Sequence, residues 1–272
     1  MKQQEHTGLS FSLFCSKSVW HILLAKAIKP FLLKYKFFFV AYAIEFNYTC
    51  GENIRLTLWC KKNHAKNLSL KSDLFFKTFF LDTKLPSRDI KLPIDGIFLP
   101  FDFNTIRYGL FAPDSPNVVS GEFSNIIIDV LGENEIDDET IITFAIYLYL
   151  GLMRTQKDYN IREPLVAFTK VVPSDNGNIS PQFLTDKYEA HKALLLEIYD
   201  EVIFGKRSSL KKNTPWLDRW LGLCEDRFNQ DTEPAIVWAS VSLLLSKQLG
   251  VSDNMNLLID YFLKHVAARD IK

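Results

Sequence analysis

Gly51-Glu52-Asn53-Ile54-Arg55-Leu56-Thr57-Leu58 joins a glycine turn to an alternating run that ends in apolar Leu58 and Trp59. Alternation of this kind marks a half-buried strand, and Cys50-Gly51-Glu52-Asn53 supplies the turn before it. Upstream of the turn, Lys36 to Phe46 is rich in Phe, Val, Tyr and Ile, a strand composition. The two segments are therefore expected to be neighbours in an antiparallel sheet. Arg55 lies between Ile54 and Leu56, so it shares a face with Thr57 and points away from the apolar set; on that face a single arginine reads as solvated. A second arginine recurs in Ile106-Arg107-Tyr108-Gly109. A guanidinium keeps its charge near neutral pH and offers a rigid fork of donors, so two arginines on or beside strands point to a pocket for carboxylates or a peptide backbone.

Outward from this hairpin, Val19 to Leu33 carries apolar residues at helical spacing, with Pro30 expected to end or kink a turn. Before it, the apolar run Leu9 to Cys15 is weak and Lys17 interrupts it, so no signal peptide is expected. Downstream, Leu68 to Leu81 admits either a helix or a strand, because Leu74-Phe75-Phe76 and Phe79-Phe80 cluster without a clear period. Leu85 to Pro116 is punctuated by five prolines and reads as extended segments and turns.

Beyond Ser120 the character becomes helical. Helices are expected over Ser120 to Leu131, with Glu122 in the first turn, and over Thr140 to Met153, with acidic residues at its start. Further helices are expected over Asp186 to Phe204, Pro215 to Arg227, and Pro234 to Arg269 with a break near Gly250. Tyr159 to Ser180 reads as a loop. The expected fold class is α+β, a mostly antiparallel sheet with helices followed by a helix-rich part, in one domain divided at about residue 118.

The composition is that of a globular protein, with 47% hydrophobic and 24% charged residues. Lys+Arg and Asp+Glu are both 32, so no global field draws nucleic acid or an anionic membrane surface. The cluster Lys206-Arg207 with Lys211-Lys212 is short and reads as a solvated loop. The 22 Phe imply either a thick aromatic core or a peptide-binding groove. Cys15, Cys50, Cys60 and Cys224 show no metal-ligand spacing, which fits reduced thiols and a cytoplasmic location. The longest uncharged stretch, Thr140 to Met153, is too short to span a bilayer. No P-loop, G-x-G-x-x-G, H-E-x-x-H or G-x-S-x-G pattern is present, and no metal or cofactor is expected.

Trp20-His21, a helix with Pro30, and Phe37-Phe38-Phe39-Val40-Ala41-Tyr42 come in that order before Gly51 to Leu58. This order of short motifs resembles the thiopeptide-type bacteriocin biosynthesis family, with Gly51 to Leu58 at the position of the family's G-x-H-L-R-L-R. That family includes the C-terminal elimination domain of lantibiotic dehydratases and the pyridine-forming cyclases of thiopeptides. Its Y-x-P-E-x-x-R-Y-G-G motif corresponds to Phe101 through Leu110, and Gly121-Glu122-Phe123 leads the helix that follows. The chain departs from the pattern at Asn53 and Thr57, where the family has His and Arg, at Ala41 for a strand Arg, and at Asn104 for a Glu.

The resemblance implies a protein that matures a ribosomally made precursor peptide, with glutamate elimination from glutamylated Ser or Thr as the leading activity. A separate glutamylating dehydratase subunit would then be a partner. Arg55 and Arg107 would hold anions, and His21 or His265 would serve as base. Asn53, Thr57, Tyr108 and Glu122 would contact substrate. The alternatives are a pyridine-forming cyclase, which joins two dehydroalanines and expels the leader, and a noncatalytic peptide-binding subunit.

Overall fold

The computed structural model describes residues 6–48, 50–86, 101–109, 118–155, 180–205, 215–227 and 234–267. The expected loop over 159–179, the basic cluster at 206–212, Arg269 and much of the proline-rich 85–116 stretch lie outside them. The chain divides into two units, the first made of residues 1–137 and 247–250, the second of 138–246 and 251–272.

The first unit is built on a four-stranded antiparallel sheet of β1 (His6–Phe14), β2 (Ala41–Asn47), β3 (Asn53–Lys61) and β4 (Thr105–Tyr108) in the order β2-β3-β1-β4. The hairpin over Gly51 pairs β2 with β3 as expected, from Asn47 opposite Asn53 to Ala41 opposite Trp59. Strand β2 starts later than its composition suggested. Residues 36–40 form a turn and Phe37 is 83% exposed, because three consecutive phenylalanines cannot all face one side of a pleated strand. The segment read as a weak apolar run is the interior strand β1, in which Leu9, Phe11 and Leu13 alternate with Ser10 and Ser12.

One face of the sheet is apolar. Phe11, Leu13, Ile54, Leu56, Ile44 and Phe46 are buried there against helices α1 (Trp20–Leu23), α2 (Lys29–Tyr35) and α3 (Lys62–Thr83). The phenylalanines form a core: the Phe31 ring lies 4.9 Å from Phe76 and 6.5 Å from Phe11, and Phe11 lies 5.5 Å from Phe76. Trp20 is fully buried, its ring 4.7 Å from Phe46. Pro30 does not end the helical run, which continues to Tyr35. The turn before it, Leu24–Ile28, is π-helical, and Pro30 occupies the first positions of α2, where the wider turn accommodates a residue with no N–H to donate. The ambiguous Phe-rich segment is helix α3, since Leu68, Ser72, Phe76 and Phe80 recur at four-residue spacing and are the buried ones.

The outer edge of β2 is closed by helix α4 (Val118–Leu131) and by residues 247–250. The Ile44 N–H donates to Ser124 Oγ at 2.9 Å, and Gln248 Nε2 donates to Ser124 Oγ at 3.0 Å and to the Ser120 carbonyl at 3.1 Å. An edge strand with free backbone groups templates further pairing, and this network caps the Ile44 N–H of that edge. Helix α4 starts two residues before the expected Ser120, which moves Glu122 out of its first turn. Gly250 completes the closure at φ 63°, where a Cβ would stand 3.0 Å from the Phe46 carbonyl and 3.2 Å from Tyr48. Gly250→Ala is therefore expected to destabilise the fold by about 1–2 kcal/mol, from the left-handed backbone and the lost close approach together. Urea unfolding followed by circular dichroism measures it.

The second unit consists of α5 (Asp138–Thr155), α6 (Pro181–Phe204), α7 (Pro215–Arg227), α8 (Pro234–Gln248, its last two residues in the first unit) and α9 (Asp253–Ala267). Helix α6 begins five residues before the expected Asp186. Ser180 is its N-cap, accepting from the Phe183 N–H at 3.2 Å, and Pro181 fills the first helical position. Tyr149 and Trp238 stack at 5.3 Å within this core, and Trp220 donates to the Leu148 carbonyl at 2.7 Å. No helix among the described residues is long and apolar enough to cross a membrane.

Candidate functional site

The second face of the sheet is polar and yet largely buried, because residues alternate along each strand while register aligns them across it. One cross-strand row runs Glu45, Arg55, Ser12, Arg107 over all four strands. The adjacent row runs Ala43, Thr57, Ser10. Neighbouring strands are about 4.8 Å apart, so the Arg55 and Arg107 backbones stand roughly 10 Å apart with Ser12 between them. Ser10, Ser12, Glu45 and Thr57 are all buried, so this face differs from the solvated surface that alternation alone implied for Arg55.

Arg55 donates from Nη1 to Glu45 Oε2 at 2.8 Å, and each of the two side chains is only 12% exposed. Lys247 Nζ lies 3.7 Å from the other Glu45 oxygen. Burial lowers the Arg55 guanidinium from its usual high pKa, while the neighbouring Glu45 carboxylate acts in the opposite sense. An arginine stays charged through such a shift, so the pair is an ion pair at neutral pH. At the other end of the row, exposed Arg107 lies on the edge strand with its guanidinium carbon 4.9 Å from the centre of the Phe101 ring. Between the ends, Thr57 Oγ1 donates to Ser10 Oγ at 3.1 Å. The row thus sets a held carboxylate and two guanidiniums around buried hydroxyls, a surface that can accept and orient the carbonyl groups of an extended peptide.

The structure brings Arg55, Arg107 and Thr57 to this face together. Asn53 also belongs to it but closes the hairpin, its Nδ2 donating to the Gly51 carbonyl at 2.8 Å and the Asn47 carbonyl at 3.2 Å. Asn104 has φ 62°, its N–H donates to the Phe14 carbonyl at 2.7 Å, and it leads the chain into β4; asparagine tolerates that left-handed backbone. Tyr108 is on the opposite face, its ring 5.5 Å from Phe11 and its hydroxyl donating to the Ser69 carbonyl at 3.3 Å. Burial first, and then Asp73, push the Tyr108 phenol well above its ordinary range. His21 lies on α1, in the helical layer over the apolar face, with Nδ1 buried and lacking a hydrogen-bond partner. Glu122 is exposed on α4. His265 is in the second unit, where its Nδ1 lies 2.8 Å from the Tyr261 carbonyl and its ring stacks on Tyr261 at 4.0 Å.

Sequence reasoning missed Glu45, Ser12 and Lys247. For Glu45 a signal existed: with the turn centred on Cys50, an antiparallel hairpin places Glu45 directly opposite Arg55. Among the described residues no group of three or more His, Cys, Asp or Glu could hold a metal ion. The second unit has its own apolar cavity of about 110 Å³ between α5, α6 and α9, lined by Ile142, Ile146, Leu195 and Phe262 and flanked by Lys187 and His191.

No family model matches the chain, and no curated protein matches it. Solved structures do match its fold. The pyridine synthase TbtD from thiomuracin biosynthesis superposes with a TM-score of 0.70 at 12% identity, covering 97% of this chain and 98% of that one. The tRNA-dependent lantibiotic dehydratase MibB from Microbispora sp. 107891 superposes with a TM-score of 0.57 at 11% identity, covering 100% of this chain but 29% of the dehydratase. TsrL superposes with a TM-score of 0.51 at 11% identity over 97% of this chain and 87% of that one. The chain is thus structurally similar to a thiopeptide pyridine synthase and to part of a lantibiotic dehydratase, at low sequence identity.

Proposed function

We propose that this protein matures a ribosomally made precursor peptide by closing a six-membered nitrogen ring from two dehydroalanines and the amide joining one of them to its neighbour. The amide oxygen is lost as water, and the leader is released as its amide. The observation that carries this reading is coverage. The fold corresponds end to end with a pyridine synthase, 97% of one chain with 98% of the other, and with only 29% of a dehydratase.

Site chemistry supports the same direction. Glutamate elimination expels a molecule with free carboxylates, which cations must hold. Here the Arg55 charge is already balanced by Glu45 at 2.8 Å, and Asn53 and Thr57 are neutral groups that bond within the sheet. Ring closure makes a different demand. A pyridine built from dehydroalanine residues takes its nitrogen from a backbone amide, so the enzyme must align two alkenes, grip amide carbonyls and assist proton transfer at that amide. In this reading exposed Arg107 binds peptide carbonyls, while Arg55 is fixed by Glu45 further along the row. The substrate arrives already dehydrated, which requires a separate dehydrating enzyme upstream.

The test is incubation with a leader-bearing peptide carrying two chemically installed dehydroalanines. The expected result is a product with the near-ultraviolet absorbance of the new ring, together with a free leader fragment by mass spectrometry. Turnover of a glutamylated serine peptide instead would return the assignment to elimination. Tight binding of both peptides without mass change would make the chain a noncatalytic subunit.

A further inference from the structure

The surface formed by α2, the turn after it and the first half of α3 combines lysine with exposed apolar side chains. Residues 26–41 carry four lysines and 61–72 carry four more, with no Asp or Glu in either stretch, although the chain as a whole is neutral. One of the eight, Lys29, pairs with Asp129. The two stretches form one face. Lys71 Nζ on α3 lies 5.5 Å from the Tyr35 ring and 5.4 Å from the Phe38 ring, and Lys34 on α2 lies 5.7 Å from the Phe75 ring. On it Phe37 is 83% exposed at the turn, and Leu33, Val40, Leu70 and Leu74 are each at least 60% exposed. So many large apolar groups on adjacent elements mark a contact surface.

We propose that this face docks the protein on an anionic lipid surface. Charge decides against a second copy of the same face, since lysines would meet lysines in excess of the two carboxylates at its margin, Asp129 and Asp73, which already pair with Lys29 and Lys77. Composition decides against a protein partner, because protein interfaces favour Arg and deplete Lys, and this face has no arginine in 26–41 or 61–72. Exposed leucine and valine give nothing to a phosphate backbone, which disfavours nucleic acid. Lipid uses both components: Phe37 and the aliphatic side chains enter the acyl boundary, and lysine stems lie along it with their ammonium groups among headgroup phosphates.

The experiment is co-sedimentation of the full chain with phosphatidylcholine vesicles, alone and mixed with phosphatidylglycerol, at low and high salt. Binding is expected only to the mixed vesicles, weakening with salt. Lys34→Gln with Lys36→Gln is expected to lower partitioning about 25-fold, roughly fivefold per lysine. Phe37→Ser is expected to lower it about tenfold or more. Leu243→Ser, at another exposed leucine, is expected to bind like the parent. Circular dichroism melting checks that each variant remains folded, which exposed positions allow. Failure to pellet with either vesicle, equal pelleting with neutral vesicles, or parent-like pelleting of both variants would overturn the proposal. So would displacement by bulk tRNA or an acidic peptide combined with an unaltered Phe37→Ser, since that pattern belongs to polyanion binding.

Discussion

Arg55→Ala is expected to destabilise the fold by about 2–4 kcal/mol and to abolish ring closure on the dehydrated peptide. The stability loss arises on the partner left behind. Glu45 is 12% exposed at the side chain, and without Arg55 the cation beside it among the described residues is Lys247 at 3.7 Å. Breaking a buried pair from one side leaves an uncompensated charge, whereas replacing both members with apolar groups of similar size removes the charge altogether. Arg55→Met combined with Glu45→Leu is therefore expected to recover most of the stability and none of the turnover. Stability and activity thus separate within one pair of variants. Urea unfolding, beside the peptide assay, measures both effects.

Trp220→Ala is expected to cost about 3–5 kcal/mol. Trp220 is fully buried in the helical unit, and its indole N–H reaches the Leu148 carbonyl at 2.7 Å. The helix it packs against has a glycine at the contact: a Cβ on Gly151 would come within 2.8 Å of Trp220 Cδ1. A ring seated this closely leaves a cavity when removed, because the neighbouring backbone cannot collapse into its place. Trp220→Phe keeps an aromatic ring but loses the donor, and is expected to cost about 1–2 kcal/mol. An alanine variant with the stability of the phenylalanine variant would show that the site repacks.

The sheet and the candidate site were legible to different degrees. The β2–β3 hairpin could be read because turn chemistry and strict alternation agree over Gly51 to Leu58. Strand β1 could not, since its solvent-like positions are serines that the fold buries, and a short Leu-Ser-Phe-Ser-Leu-Phe run looks like an apolar patch interrupted by polar residues. Phe37 to Phe39 was over-read, because strand composition does not reveal that a turn precedes the strand. Arg55 stood out by its charge, whereas Glu45 needed register, a property of two strands together. The position of His21 on the helical layer over the apolar face depended on packing that helical periodicity does not contain.

The closure of β2 by Gln248 and Gly250 also bears on how the molecule is made. Gln248 fastens α4, and Gly250 lies against the Phe46 carbonyl of a strand synthesised some two hundred positions earlier. While the ribosome makes the intervening helices, the nascent sheet lacks the last pieces of its own edge. The first unit is therefore completed late, although most of it is translated first, and a chain halted before residue 247 would leave Ser120 and Ser124 without their Gln248 partner.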